Sequence, residues 1–351
     1  MSPTVAVVGG GYAGIIVAKA LDEVADVTLV EPRETFVHNV AALRAVVDPT
    51  WADQLFIPYD GLLARGRVVR DRAVQVTGGT VELASGDTVA ADYIVLATGS
   101  GYPYPAKLDV DDRASGLAKL AATRDALLRA DRVLLLGAGP VGLEFAGEIK
   151  AAWPEKAVTI VDPAGELLPR FPDEVRAELR RQLDDLGIEV LLGAALRALP
   201  PTAPGEVGTF TVTTASGVDI GADVWFPCFG VTPNSDYLGG GHLAVTPELR
   251  VAGHETVFAV GDVTAVPEAK MAYRAEKHAA VVAANIRTLI EGGTALAAYE
   301  PESDGIVLPL GPKGGVSYAA EMGLLGPEVT QDIKGTFFLD IYRDRLGATR
   351  S

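Results

Sequence analysis

Val5-Ala-Val-Val-Gly9-Gly10-Gly11-Tyr12-Ala13-Gly14, continued by Ile15-Ile-Val17-Ala18 and later by Val27-Thr-Leu-Val-Glu31, decides the fold of this 351-residue chain. The run Val5 to Val8 is apolar throughout, as befits a parallel strand covered on both faces. Gly9 permits a tight turn, Gly11 leaves room for a pyrophosphate to approach the backbone, and Gly14 lets the following helix pack closely on the strand. The start of that helix offers free N–H groups and partial positive charge to a phosphate. Glu31 then ends a second strand, where a carboxylate accepts hydrogen bonds from a ribose diol. Strand, glycine turn, helix and terminal acid together predict a dinucleotide-binding fold.

The same unit occurs again. Arg132-Val-Leu-Leu-Leu136 is an apolar strand, Gly137-Ala-Gly139-Pro-Val-Gly142 the turn, Leu143 to Ile149 the helix, and Val158-Thr-Ile-Val-Asp162 a strand ending in an acid. Duplication of the whole unit is far more specific than one glycine motif. The insertions repeat as well: Asp92-Tyr-Ile-Val-Leu-Ala97-Thr98-Gly99 has its counterpart in Asp223-Val-Trp-Phe-Pro-Cys228-Phe-Gly230, and each follows a hairpin pattern. From residue 241 the chain is expected to return to the first fold through a strand at Thr256 to Asp262 and a long alanine-rich helix from Met271 to Ile290. The fold class is therefore α/β: two Rossmann-like three-layer dinucleotide-binding domains, at 1–105 with 241–298 and at 106–240, plus a small C-terminal α+β domain at 299–351. A helix near Gly335 to Arg345 closes that tail, and Phe337, Phe338, Ile341 and Tyr342 are spaced to give it an apolar face.

Thirty Lys and Arg against 46 Asp and Glu leave a formal charge of −16. So acidic a chain repels nucleic acid, and no basic run offsets this. One cysteine, Cys228, excludes an intrachain disulfide and is compatible with a reducing compartment. With no basic-then-apolar leader and no apolar run near 20 residues, a cytoplasmic protein without an integral membrane segment is expected. Peripheral contact with a membrane and the oligomeric state stay open. His38, His242, His254 and His278 do not fall at metal-ligand spacings, so no metal site is expected.

The two nucleotide folds, the Ala97-Thr98-Gly99 strand end, the Gly230-Val-Thr-Pro233-Asn234 turn and the late Gly261-Asp262 pair resemble the two-dinucleotide-binding-domain flavoproteins. Within them, His38-Asn-Val-Ala-Ala-Leu-Arg44 and Lys270-Met271-Ala272-Tyr273 look most like the apoptosis-inducing-factor-like, ferroptosis-suppressor type of NAD(P)H:quinone oxidoreductase. The resemblance implies FAD in the first fold and NAD(P)H in the second, with hydride passing from nicotinamide to flavin N5. It carries Gly9, Gly11, Tyr12, Ala13, Gly14 and Glu31 over to FAD, with Arg44 near the cofactor, Val68 backbone groups on the adenine, and Ala97, Thr98, Gly99, Gly261 and Asp262 along the rest. Met271 and Ala272 open a helix whose N-terminus points to the flavin O2 side. Gly137, Gly139, Gly142, Asp162 and Gly230 are carried over to the nicotinamide nucleotide.

Three residues are candidates for catalysis. Lys270 reads either as a solvated lysine or as a stabiliser of negative charge on reduced flavin. Glu144 is placed beside the nicotinamide by the resemblance, one helical turn from Glu148, which reads equally as part of a charged helix face. His38 reads as a proton donor near the flavin or as a packed loop histidine. Since no cysteine precedes Cys228, thiol-relay branches of the superfamily are excluded, and Cys228 reads as a small buried apolar residue. The function expected is hydride transfer from NADH to FAD, then two electrons to a quinone-type small acceptor. A carboxylate at Asp162 favours NADH over NADPH. The alternatives are a reductase of ferredoxin-type carriers, which a −16 surface would repel without a basic patch, and a slow-turnover FAD- and NAD-binding redox sensor.

Overall fold

The computed structural model of the protein describes residues 2–348. Within these residues the first glycine turn sits at the centre of a parallel sheet with spatial order Val257–Ala259, Tyr93–Leu96, Thr4–Val8, Asp26–Val30, Arg67–Val69. The second turn sits in a sheet ordered Ile188–Leu191, Ala157–Val161, Arg132–Leu136, Val224–Pro227. In both, the strand before the glycines is flanked by the acid-ending strand and by the strand of the repeated insertion. Even the strand entry repeats. Asp92 accepts the Thr4 N–H at 2.8 Å, and Asp223 accepts the Arg132 N–H at 3.0 Å.

The glycine contacts explain why this turn tolerates nothing larger. A Cβ on Gly14 would stand 1.8 Å from the Gly9 carbonyl oxygen, and one on Gly142 would stand 2.0 Å from that of Gly137. Gly9 and Gly137 are left-handed, with φ of 102° and 118°, and their own Cβ positions press on Ala97 O and Cys228 O at 2.6 Å each. The helices Tyr12–Leu21 and Pro140–Ala152 thus lie directly on their strands.

Beyond residue 241, Val257–Ala259 pairs in parallel with Tyr93–Leu96 of the first sheet. The helix Ala272–Ile290 follows and buries Ala275, Ala279, Val282, Ala283 and Ile286 in the same core as Ile15, Val17, Ala18 and Leu21 of the first helix. Small side chains let the two helices approach.

One helix is illegible locally. The helix Arg113–Arg129 buries Gly116, Leu120, Thr123, Ala126 and Leu127. The spacing is helical, but a glycine and a threonine stand where apolar residues would announce it. Gly116 is needed there because a Cβ would meet the Phe56 ring at 2.5 Å. The tail consists of an antiparallel sheet (Ile306–Leu310, Gly314–Ala319, Gly323–Leu325) and the helices Pro327–Lys334 and Leu339–Arg345. Its sheet shares a core with the second fold through Leu308, Leu310 and Val316, and its last helix shares one with the first fold through Leu339, Tyr342 and Leu346.

The single final helix expected from Gly335 to Arg345 is not formed. Phe337 and Phe338 adopt left-handed φ of 52° and 60°, so helix resumes only at Leu339 and the two rings part company. Phe337 turns inward, 3% exposed, with its ring 5.2 Å from Trp51 and beneath the Arg44 guanidinium at 5.1 Å.

Arg44 in turn crosses to the second fold. Its Nη2 donates to Glu148 Oε1 at 2.8 Å and its Nε to the other carboxylate oxygen, with both side chains buried. Burial pushes the Glu148 carboxyl up despite the guanidinium, which pulls it down. Removing one partner leaves the other charge stranded, so Arg44→Ala or Glu148→Ala should each cost about 3–5 kcal/mol in urea unfolding, while Arg44→Met with Glu148→Leu should recover most of it. Single variants as stable as wild type would show that the pair does not hold the two folds together.

Candidate active site

A cleft of about 1930 Å³ runs between the first fold, the start of the helix Pro140–Ala152 and the tail. That is roughly twice the upper end of the range usual for one small ligand, so there is room for two. Of the residues singled out from sequence, Gly9, Gly11, Tyr12, Ala13, Glu31, Ala97, Thr98, Gly99, Glu144, Gly261, Asp262, Lys270, Met271 and Ala272 all line it. Gly14 lies beneath its floor as the helix–strand contact. Gly137, Gly139, Gly142, Asp162 and Gly230 belong to the second turn and its surroundings, outside the cleft lining.

The glycine turns carry the same electrostatics. Glu31, 4% exposed, accepts the Gly10 N–H at 2.6 Å and the Arg33 N–H at 3.0 Å. Asp162 accepts the Ala138 N–H at 2.6 Å and the Ala164 N–H at 2.7 Å. Each carboxylate is pinned by backbone, yet each oxygen retains a lone pair for a ligand hydroxyl. Neither Gly11 nor Gly139, which precede the two helices, has any atom within 4 Å of its Cβ position, and neither helix has a side-chain cap. Open space over uncapped N–H groups is a cradle for a diphosphate, and the residues present fit a dinucleotide in each fold. Gly10 has a separate constraint: Tyr59, whose hydroxyl donates to the Gly10 carbonyl at 2.8 Å, would meet a Cβ there at 2.5 Å.

Further along, Asp262 accepts from Ser100 Oγ at 2.6 Å and pairs with Lys107 Nζ at 3.4 Å. Lys107 also donates to the Ser100 carbonyl at 2.8 Å. Lys270 is neither free nor fully solvated. Its Nζ donates to the carbonyls of Thr264 at 2.7 Å and Val266 at 2.9 Å, which leaves one of its three protons for the cleft, and burial lowers its pKa. Glu144 Oε1 accepts from Lys334 Nζ of the tail at 2.6 Å. The carboxylates of Glu144 and Glu148 therefore serve different partners, one facing the tail and cleft, the other the buried Arg44.

Three of the candidate residues do not line the cleft. Arg44 is engaged by Glu148 and Phe337 and does not line the cleft. Val68 lines a smaller neighbouring pocket with Arg33, Tyr59 and Arg70. His38, fully buried, stands behind Tyr12: the Tyr12 hydroxyl donates to His38 Nδ1 at 3.3 Å, and Nε2–H donates to the Phe337 carbonyl at 2.8 Å. With both nitrogens engaged and no face on the cleft, His38 is the packed loop histidine of the two readings. Lys107, Ser100, Tyr59 and Lys334 gave no local signal, since Ser100 and Lys107 meet Asp262, Tyr59 meets Gly10 and Lys334 meets Glu144 only across tens of residues.

A model of the pyridine nucleotide-disulphide oxidoreductase family matches residues 3–281. The chain belongs to this family. Apoptosis-inducing factor homolog B of Dictyostelium discoideum is 31% identical over an alignment of 372 residues, covering 97% of this chain and 96% of the relative. Ferroptosis suppressor protein 1 of Homo sapiens is 32% identical over 335 residues, covering 89% and 87%. Among solved structures, the sulfide:quinone oxidoreductase of Aquifex aeolicus shares the fold, with a TM-score of 0.75 over 99% of this chain and 93% of that one at 18% identity. The protein is thus an FAD- and NAD(P)H-dependent oxidoreductase of the apoptosis-inducing-factor type. Unlike a dithiol member, it carries one cysteine, buried under the second glycine turn with its thiol pushed up to about 12 by burial. Among the described residues no helix is long and apolar enough to cross a membrane.

Burial holds His38 neutral, lowering its pKa from 6.5 to about 4. The unfolded chain takes up that proton first as pH falls, so stability is complete above about pH 6.5 and declines toward pH 4, by up to about 3 kcal/mol from this group. His38→Gln, which does not titrate, should flatten that part of the profile in urea unfolding at pH 7, 6, 5 and 4. An unchanged slope would assign the acid sensitivity to other groups.

Proposed function

We propose that the protein passes reducing equivalents from NADH through FAD to a small quinone-type acceptor, without a thiol relay. The observation that carries this reading is the cleft itself: one continuous space joins the first glycine turn, Asp262, Glu144 of the second fold and the apolar edge of the tail. Gly9, Gly11, Ala13 and the start of the helix Tyr12–Leu21 receive the diphosphate, and Glu31 the adenosine ribose. Asp262, with Ser100 and Lys107, orients the middle of the cofactor. Met271 and Ala272 present the uncapped start of the long helix, whose partial positive charge favours an anion, and Lys270 adds its remaining N–H. When bound, FAD supplies two-electron exchange between a nicotinamide and an acceptor.

Asp162 supports NADH as donor. Held by two amides beside the second glycine turn, it repeats the environment of Glu31 and suits a 2′-hydroxyl but repels a 2′-phosphate. Glu144, fixed by Lys334, orients the nicotinamide end. The acceptor reading rests on the rim: Phe338 and Ile341 of the tail, the latter 47% exposed, and Met322, 65% exposed, line the cleft and offer an apolar ring no charge. Phe337, buried against Arg44 and Trp51, plays no part in that rim.

The glycines separate cofactor binding from folding. Gly11→Ala should leave the melting temperature within a few degrees of wild type but abolish most FAD uptake, read from the 450 nm absorbance of the purified protein. Gly14→Ala should instead unfold the first domain, since its Cβ has no room. Full flavin occupancy in Gly11→Ala would remove the diphosphate from this turn.

The overall reading is tested by stopped-flow mixing of FAD-loaded protein with NADH or NADPH, then with benzoquinones and naphthoquinones. NADH should bleach the flavin faster than NADPH, with Asp162→Ala narrowing the gap, and a quinone should restore absorbance faster than dissolved oxygen does. Rapid bleaching with no quinone outpacing oxygen would sink the acceptor assignment. Equal efficiency with both nucleotides would sink the NADH preference.

A further inference from the structure

The backbone that carries Asp262 is held by a buried polar network that the residues discussed above do not include. Gly261 turns left-handed, with φ of 73°, where the strand Val257–Ala259 runs into the cleft. Its N–H donates to His278 Nδ1 of the long helix at 3.0 Å. A neutral imidazole has one donor and one acceptor, so the proton then resides on Nε2, which lies 2.9 Å from Glu268 Oε1 but out of line for a hydrogen bond. The other carboxylate oxygen, Oε2, accepts from Arg274 Nη1 and from the Tyr299 hydroxyl, each at 2.8 Å. Arg274 continues to the carbonyls of Glu302 at 3.1 Å and Ser303 at 2.9 Å, in the strap that leads into the tail and borders the cleft. His278 is 1% and Arg274 2% exposed, and the Glu268 side chain 3%.

We infer that His278 and Glu268 are positioning residues for the flavin. The imidazole fixes the Gly261 amide and so the backbone on which Asp262 stands, the charge of Glu268 beside Nε2 favours the tautomer protonated there, and the same carboxylate ties down the strap through Tyr299 and Arg274. Cofactor seat and cleft rim are thereby set by one buried hub, of which His278, Glu268 and Tyr299 do not line the cleft. A buried amide without an acceptor costs what a lost hydrogen bond costs, which is why the ring nitrogen rather than ring bulk matters here. Burial keeps the ring neutral by lowering its pKa, against the opposing pull of Glu268 and Asp262, and Lys270 acts in the same direction as burial. This inference rests on the placement of FAD against Asp262.

The test uses full-length protein stripped of flavin and titrated with FAD, with fluorescence as the readout. His278→Asn places an amide oxygen near the Nδ1 position and keeps an acceptor for Gly261. His278→Gln keeps a donor toward Glu268 but withdraws that acceptor, and His278→Ala removes both. The expected order is wild type and His278→Asn within about threefold of each other, with His278→Gln and His278→Ala weaker by roughly tenfold, as one unsatisfied amide implies. Tyr299→Phe, which removes only the hydroxyl on Glu268, should weaken FAD by a few fold although Tyr299 does not line the cleft. Amide hydrogen exchange at Gly261 should follow the same order. Three His278 variants with equal affinities, or His278→Asn as weak as His278→Ala, would overturn the positioning role. A wild type that takes up no FAD would overturn the cofactor reading and this one with it, and is recognised before any variant is made. If the His278 variants do not fold, unchanged FAD affinity in Tyr299→Phe overturns the hub.

Discussion

Everything in this molecule is built outward from a contact with no side chain in it. At Gly14 and again at Gly142, a helix lies so close to the glycine before it that the two backbones touch. The missing Cβ brings the helix N-terminus directly over the end of the central strand, where its free N–H groups converge on one point in space. Glu31 and Asp162 are positioned by the same backbone, each accepting an amide of the turn. The open turn and the carboxylate beside it are consequently one structure, used twice.

Two such folds do not by themselves make an active site, and the remaining chain does the work of joining them. Arg44 and Glu148 form a buried pair across the gap, with Phe337 from the tail laid under the guanidinium. Lys334 closes on Glu144 one helical turn away. First fold, second fold and tail therefore meet around one face of the helix Pro140–Ala152, where Gly147 gives the tail room to approach. A Cβ at that glycine would stand 2.6 Å from the Gly311 nitrogen. The cost of burying the ion pair is offset only while all of its partners are present, so the cleft geometry and the docking of the tail depend on each other.

Chemistry follows the same division. The polar floor gathers Ser100, Lys107, Asp262 and Lys270 around the first glycine turn, whereas the apolar rim of Phe338, Ile341 and Met322 belongs to the tail. Cys228 takes no part, because its burial beneath the second turn holds the thiol protonated. A member of a family named for disulphide chemistry thus keeps the nucleotide scaffold and lacks a thiol pair.

Legible along the chain is whatever depends on neighbours within one turn or one strand: the two glycine units, their terminal acids, the repeated hairpin insertions and the strand through Thr256 to Asp262. Those signals are local because the steric exclusion at Gly14 and Gly142 acts on the glycine five residues earlier, and the left-handed φ of Gly9 and Gly137 belongs to the turn itself. Whatever depends on the filling of space between distant segments emerges only when the chain is folded. Arg44 stands within sequence reach of the cofactor loop, yet a carboxylate 104 residues away claims it. His38 has the polarity of a proton donor, but the Phe337 carbonyl and the Tyr12 hydroxyl close both of its nitrogens. Phe337 and Phe338 have the spacing of one helical face until the left-handed backbone at both sends one ring inward and the other to the rim. Helical periodicity reports which residues are apolar. Which surface they meet is set by packing, because burial is a property of the whole fold and no window of sequence contains it.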